Sequence, residues 1–446
     1  MLAASFLALC AIIARAADWN SLLAEAGLLQ KQGVYAQAEK KFQDALREAE
    51  LFGSGDRRLA LTLNNLGTVY RQQGKFDLAK SHYRRALAIW SETNGPVATA
   101  LNNLAVLSVE QGRYPDAEAN YRKAISIEER KLGASDPVLA PMLTNLGTLS
   151  FYQGHYAEAE SLYRRALAIQ EKVGSNPAST LNNLAVLYRA QARYSDAERL
   201  YMLALNLREK ALGPQHPEIA TTLTNLADLY TRQRRFSKAE SALRRALAIW
   251  EAAVGPDHPD AASSLGTLAM LYAQEKNFAA ALPLQRRALA IRQKALGARH
   301  PDVADSLSAL SCLLRATKNY AEAESLASQA LAIAEEQLGQ DHPLVARILD
   351  NLAAIYFEQQ EFGKAEPLYR RAVAIQEETL GRDHPDLAAS LSDYAILLKK
   401  THRKKQGAQM ETLARNILSR NPPDRMAQLT IDVREMEPQP KSFLPR

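Results

Sequence analysis

Ala38, Ala79, Ala117, Ala159, Ala197, Ala239, Ala281, Ala323 and Ala365 recur at intervals of 38 to 42 residues, and the last four intervals are all 42. A period of that size in a chain of 446 residues means one supersecondary unit used many times, rather than two or three separate domains. A single unit is too small to bury an apolar face alone. Neighbours must therefore stack and share one continuous core, and function must be sought on the surface of an array.

The stretch Leu63–Gly95 shows what the unit is. Leu63, Leu66, Gly67 and Tyr70 stand at i, i+3, i+4 and i+7, one stripe of a first helix. Gly74 then supplies the permissive backbone of a tight reversal, and Ala79, Tyr83, Ala86 and Ile89 form the stripe of a second helix. The small residues allow close approach of the two helices, and the large ones fill the gaps between them. Composition agrees with a packed array: 47% of residues are hydrophobic and 23% charged. A net charge of +6 spread over so long a surface excludes a strongly basic nucleic-acid face. The two cysteines, Cys10 and Cys312, lie too far apart in sequence to suggest a disulfide framework.

The pattern Leu-x-x-Leu-Gly-x-x-Tyr followed by Ala-x-x-x-Tyr-x-x-Ala resembles the tetratricopeptide (TPR) repeat. The longer copies, linked by segments such as Leu212-Gly213-Pro214-Gln215-His216-Pro217, are similar to the 42-residue variant found in kinesin light chains and nephrocystin-like proteins. The resemblance implies an all-α fold, a right-handed α-solenoid superhelix of about ten helix pairs over residues 18–420. The end units are atypical, with Glu25 where leucine is usual and Gly407 and Glu411 near the other end, as expected where one face meets water. Two copies lack about four residues, at Asn94-Gly95-Pro96 and Gly174-Ser175-Asn176-Pro177. Four residues are about one helical turn, so their second helices are expected to end a turn early and to change the superhelical pitch.

The resemblance also implies where a ligand would lie. In peptide-binding members an asparagine of the first helix lines the concave groove and bonds the ligand backbone. The matching residues here are Asn65, Asn103, Asn145, Asn183, Asn225 and Asn351, with Asn64, Asn102 and Asn182 preceding three of them. An amide offers both donor and acceptor, which suits an extended main chain. A ladder of amides between neighbouring first helices is the alternative, and both readings stand at this point. Phe151, Tyr152 and Phe357 are the aromatic groove candidates. The lysine and asparagine pattern of the chaperone-binding carboxylate clamp is missing.

Other periodic residues have plainer readings. His216, His258, His300, His342 and His384 recur every 42 residues, always before proline. Equivalent side chains of stacked pairs stand roughly two helix spacings of 8–10 Å apart, too far to share a metal. Proline favours a helix start, so these are linker residues. Arg84-Arg85, Arg164-Arg165, Arg244-Arg245, Arg286-Arg287 and Arg370-Arg371 fall on second helices, and Glu160, Glu240 and Glu366 each precede an arginine by four residues. That spacing is the favourable ion-pair orientation, so the row reads as a solvated outer face. The tract Lys399–Lys405 has no such local compensation.

Residues Leu2–Ile13 followed by Ala14-Arg15-Ala16 read as an export signal, so residues 1–17 are assigned as a signal peptide and the location as periplasmic or extracellular. Residues 421–446, polar and proline-bearing, read as a disordered tail. No metalloprotease, nucleophile-elbow or phosphate-loop motif occurs, and no cofactor is expected. The sequence thus points to a non-catalytic scaffold for a protein or peptide partner, with no nucleic acid and no membrane span. Its rivals are a self-associating structural array and a regulatory module for a separately encoded enzyme.

Overall fold

The computed structural model describes residues 18–420. The signal-peptide and tail assignments lie outside that range. Among the described residues the regular structure is entirely helical, in ten successive pairs. The first helices are α1 (18–31), α3 (Arg57–Gln72), α5 (Val97–Glu110), α7 (Leu139–Tyr152), α9 (Ala178–Ala190), α11 (Pro217–Arg232), α13 (Pro259–Gln274), α15 (Pro301–Ala316), α17 (Pro343–Glu358) and α19 (Pro385–Lys400). The second helices are α2 (Tyr35–Glu50), α4 (Phe76–Glu92), α6 (Tyr114–Leu132), α8 (Tyr156–Lys172), α10 (Tyr194–Leu212), α12 (Phe236–Ala253), α14 (Phe278–Leu296), α16 (Tyr320–Leu338), α18 (Phe362–Thr379) and α20 (Lys404–Arg420). The recurring alanine sits at the seam of the first nine pairs, with Gly407 in its place in the tenth, and every copy from Ala38 to Ala365 is fully buried. A methyl group is the largest side chain that lets the two backbones pass so closely.

Two kinds of connection alternate. Within a pair the first helix ends in a left-handed residue, as at Gly74, whose N–H donates to the Arg71 carbonyl at 2.9 Å while Lys75 N–H reaches back to Tyr70 at 2.8 Å. Between pairs, each His-Pro link starts the next helix with proline in its first turn. The histidine caps it: Nδ1 accepts the backbone N–H two residues on, at 3.3 Å for His216 and 3.0 Å for His342. The linker reading of the histidines therefore holds, with the ring nitrogen in the role usually filled by aspartate or serine.

The two short copies divide their deletion differently from the expectation. α4 and α8 have 17 residues where α6, α10, α14 and α16 have 19, and the following first helices α5 and α9 have 14 and 13 where α11 has 16. The loss is shared across the link instead of removing a whole turn from the second helix. Pro96 and Pro177 are the cause: each bars helix at the residue before it and caps the next helix at once.

The superhelix closes on itself. His258, His300, His342 and His384 pack against Gly33, Gly74, Gly112 and Gly154, residues 225 to 230 positions earlier in the chain. His342 Nε2 lies 3.1 Å from the Glu110 carbonyl oxygen. Leu380 joins the apolar cluster of α5 to α8, and Leu296 and Leu338 pack on that of α1 to α5. Units 7 to 10 thus sit directly over units 1 to 4.

Candidate functional site

The asparagine candidates are placed first by their burial. Asn64, Asn102, Asn103, Asn145, Asn182, Asn183, Asn225 and Asn351 are all buried, and Asn65 is half-buried. They form a ladder across successive first helices. The Nδ2 groups of Asn103, Asn145 and Asn225 donate to Oδ1 of Asn64, Asn102 and Asn182 at 2.8, 3.0 and 3.2 Å. Asn183 reaches Thr148 Oγ1 at 3.5 Å, and Asn351 reaches the Ser308 carbonyl at 3.2 Å. The helix penalty of asparagine is thereby offset by satisfied buried amides. Replacing Asn145 with alanine should cost about 1–2 kcal/mol in urea unfolding, because Asn102 Oδ1 loses its donor inside the wall. A loss below about 0.5 kcal/mol would show that the ladder holds nothing.

The middle first helices present almost no free surface. In α9, 12 of 13 residues are buried, and in α7, 12 of 14. Phe151 is one of them; it stacks on Tyr156 at 5.7 Å and belongs to the core, while Tyr152 beside it is half-buried. Asn102 Nδ2 and Asn351 Oδ1 remain without a hydrogen-bond partner.

Units 7 to 10 differ. On α13, Gly266, Thr267, Met270 and Ala273 are half-buried; on α15, Asp305, Ala309 and Cys312; on α17, Arg347, Asp350, Ala354 and Phe357. On α19, Ala389, Asp393, Ile396 and Lys400 are exposed. Apart from the adjacent Gly266 and Thr267, these residues step by three and four on each helix, which puts them on one face. Successive helices align that face so that Met270, Cys312, Ala354 and Ile396, each 42 residues from the next, form one apolar line. Phe357 belongs to this strip and packs on Phe362 at 5.5 Å. Of these four, the sequence marks Cys312 as a small core or groove residue on a helical face, while Met270, Ala354 and Ile396 were not singled out. Their common signal, the 42-residue spacing three places beyond the asparagine position, was there to be read.

Charged groups flank the line. Arg347 pairs with Asp305 at 2.5 Å, and Arg315 pairs with Glu358. Asp350 is half-buried but deep-set. Desolvation raises its carboxyl to about 8, against the lowering effect of the Ser390 hydroxyl and the Gln376 amide, both of which donate to Oδ2. Oδ1 of Asp350 has no partner. Near neutral pH this group is therefore mostly a neutral acid that can donate as well as accept. Desolvation also raises Asp393 and the Cys312 thiol, which leaves the cysteine a poor nucleophile.

The outer face is tied down. Arg164 and Arg244 pair with Glu160 and Glu240 at 2.7 and 2.8 Å. Arg245, Arg287 and Arg371 cross to glutamates of the preceding second helix at 2.6, 2.8 and 2.6 Å. Glu366 takes Arg403 instead, in a two-point contact at 2.6 Å, and Lys399 meets Glu411 at 2.8 Å. The Lys399–Lys405 tract is thus partly compensated, by residues too distant in sequence for a helical spacing rule to find. Among the described residues, no helix is long and apolar enough to cross a membrane, and no three His, Cys, Asp or Glu side chains gather as a metal site requires.

Comparison with known proteins gives this architecture its place. The crystal structure of BtubC (BKLC) from P. vanneervenii shares 23% identity over 55% of this chain and 97% of its own, with a TM-score of 0.42. A putative kinesin light chain from Podospora anserina with nearly identical TPR-like repeats shares 26% identity over 46% of this chain and 98% of its own, with a TM-score of 0.39. A Rap protein complexed with competence and sporulation factor has a TM-score of 0.56 at 13% identity, covering 83% of this chain and all of its own, a likeness of fold alone. No curated protein sequence matches. The tetratricopeptide repeat profile matches residues 20–92, 96–172, 176–252, 238–294, 260–336, 313–378 and 344–419, and on that coverage the chain belongs to the tetratricopeptide repeat family.

Proposed function

We propose that this protein is a non-catalytic scaffold that holds an extended segment of a partner protein along the inner strip of units 7 to 10. The carrying observation is the apolar line Met270, Cys312, Ala354 and Ile396, accessible where the inner wall of units 3 to 5 is closed. Family membership supports a protein-interaction role. A peptide laid on the strip would set apolar side chains on that line. Its backbone N–H groups and basic side chains would meet Asp350 and Asp393. The asparagines contribute by holding successive first helices in register, with Asn351 Oδ1 the nearest unspent amide acceptor.

The test is selection of peptides from a random display library on immobilised protein. Sequences enriched on the wild type should lose at least tenfold in affinity on the double variant Ala354→Arg, Ile396→Asp, about 1.4 kcal/mol or more. They should bind Arg286→Glu, a change on the outer face, as well as the wild type. Equal binding to the double variant, or no enrichment, would sink the proposal.

Self-association by extending the superhelix is disfavoured by the bends of units 5 to 9. Ala192, Arg234, Lys276, Lys318 and Gln360 carry side chains where a docking histidine requires glycine. We place the protein outside the cytoplasm on the strength of residues 2–16, and a mature N-terminus still at Met1 by mass spectrometry would refute that.

A further inference from the structure

We propose that the four histidine–glycine contacts form a proton-sensitive clasp between the two superhelical turns, closed when the rings are neutral and released when they are charged.

The distribution of residues at the bends carries the first part. All ten bends use a left-handed backbone conformation. Gly33, Gly74, Gly112 and Gly154 have φ of 67° to 73°, while Ala192, Arg234, Lys276, Lys318, Gln360 and His402 adopt φ of 57° to 64° with a side chain attached. Left-handed geometry alone therefore does not demand glycine in this array. What separates the two sets is the ring overhead. A Cβ at Gly33, Gly74, Gly112 or Gly154 would stand 2.8, 3.0, 2.9 or 3.2 Å from Cδ2 of the opposing histidine. Glycine occurs at the bends that meet a histidine and at none of the six that do not. His216 is the converse case, a linker histidine of the same motif that meets no glycine bend among the described residues.

The second part follows from what each ring must do. Nδ1 accepts the N–H of the next helix, so a neutral ring carries its proton on Nε2, the atom facing the lower turn. Nε2 of His342 meets the Glu110 carbonyl, and His384 bonds the Tyr152 carbonyl in the same way. A second proton would go to Nδ1, where it opposes the capping N–H. The cap and the close packing are then lost together.

The surroundings of each ring decide how strongly it resists that proton. His342 has Leu344 at the capped position and Arg347 nearby; on the lower turn it faces the Glu110 carbonyl and Gly112. Burial first, then Arg347, bring its pKa down to about 4. His384 is lowered by burial and by His155 of the lower turn, while Asp386 and the Tyr152 carbonyl oppose the shift; Tyr156 and Asp383 stand close by. His258 lies on Gly33, stacked on Trp250, with Asp260 at 3.7 Å; His300 lies on Gly74, with Asp302 at 4.0 Å. For His342 and His384 the closed form has the lower proton affinity. The part of the clasp held by His342 and His384 therefore contributes fully above about pH 6.5 and weakens as pH falls, for His342 toward 4.

Small-angle X-ray scattering on the full chain at pH 7.5 and pH 4.5, with far-ultraviolet circular dichroism on the same samples, tests this. The wild type should gain in radius of gyration and maximum dimension at the lower pH with its helicity unchanged. The quadruple variant His258→Asn, His300→Asn, His342→Asn, His384→Asn, whose amides cap without titrating, should have the same dimensions at both values. His342→Asn alone serves if the quadruple variant does not fold, and should reduce the change. His216→Asn should behave as the wild type does, and Gly112→Ala should be expanded already at pH 7.5. No expansion, expansion accompanied by loss of helicity, or the same expansion in the histidine variant would each overturn the clasp. The last result would assign the opening to paired carboxylates that lose their charge in that range.

Discussion

Replacing Gly112 with alanine is expected to destabilise the array by about 2–4 kcal/mol, while replacing Gln360 with glycine at the same kind of bend is expected to stabilise it by about 1 kcal/mol. The opposite signs are the point. At both positions a side chain carries the left-handed strain of about 1 kcal/mol, so glycine at 360 relieves it. At Gly112 the added methyl also meets His342 Cδ2 at 2.9 Å and Pro343 Cδ at 3.0 Å, two rigid rings with nowhere to turn. Chemical denaturation of the two variants beside the wild type reads both numbers. If Gly112→Ala costs no more than about 1 kcal/mol, the contact between superhelical turns does not exist in solution.

Asp350→Asn is expected to stabilise the protein at pH 8 by about 2 kcal/mol and to change little at pH 4. The folded carboxyl titrates near 8 while the unfolded one titrates near 3.8. Between those values folding requires uptake of a proton, so the native state loses stability as pH rises through that window. The full shift would amount to about 5–6 kcal/mol for a dry site, and water reaching the half-buried side chain reduces it. Asparagine keeps the acceptor for Ser390 and Gln376 and removes the charge. The quantity to measure is the difference between variant and wild type in urea unfolding at several pH values. The histidine contribution runs the other way, lost as pH falls, and cancels in that difference. A difference independent of pH would mean that Asp350 ionises normally and that the inner strip is fully hydrated.

Much of this was legible in the residues. The alanine period, the Leu and Tyr stripes and the His-Pro links set the helix pairs and their order, because each is a local pattern with a local cause. The ion pairs Glu160–Arg164 and Glu240–Arg244 were readable for the same reason, whereas Glu366 chose Arg403, 37 residues away, over the local Arg370. The asparagine column was visible, but not the direction in which its amides point. Periodicity finds a position; it does not say whether its hydrogen bonds go to the next helix or to a ligand.

The sequence by itself determined a stack of about ten helix pairs, the seam alanine of nine of them, and the proline start of the His-Pro links, since all of these depend on contacts within about one repeat. Only the tertiary structure decided how tightly the stack winds. The rotation from unit to unit, accumulated over six units and some 230 residues into a full turn, brings His342 onto Gly112 rather than into water, and no local pattern encodes that sum. That same winding gives the histidines a second surface to hold.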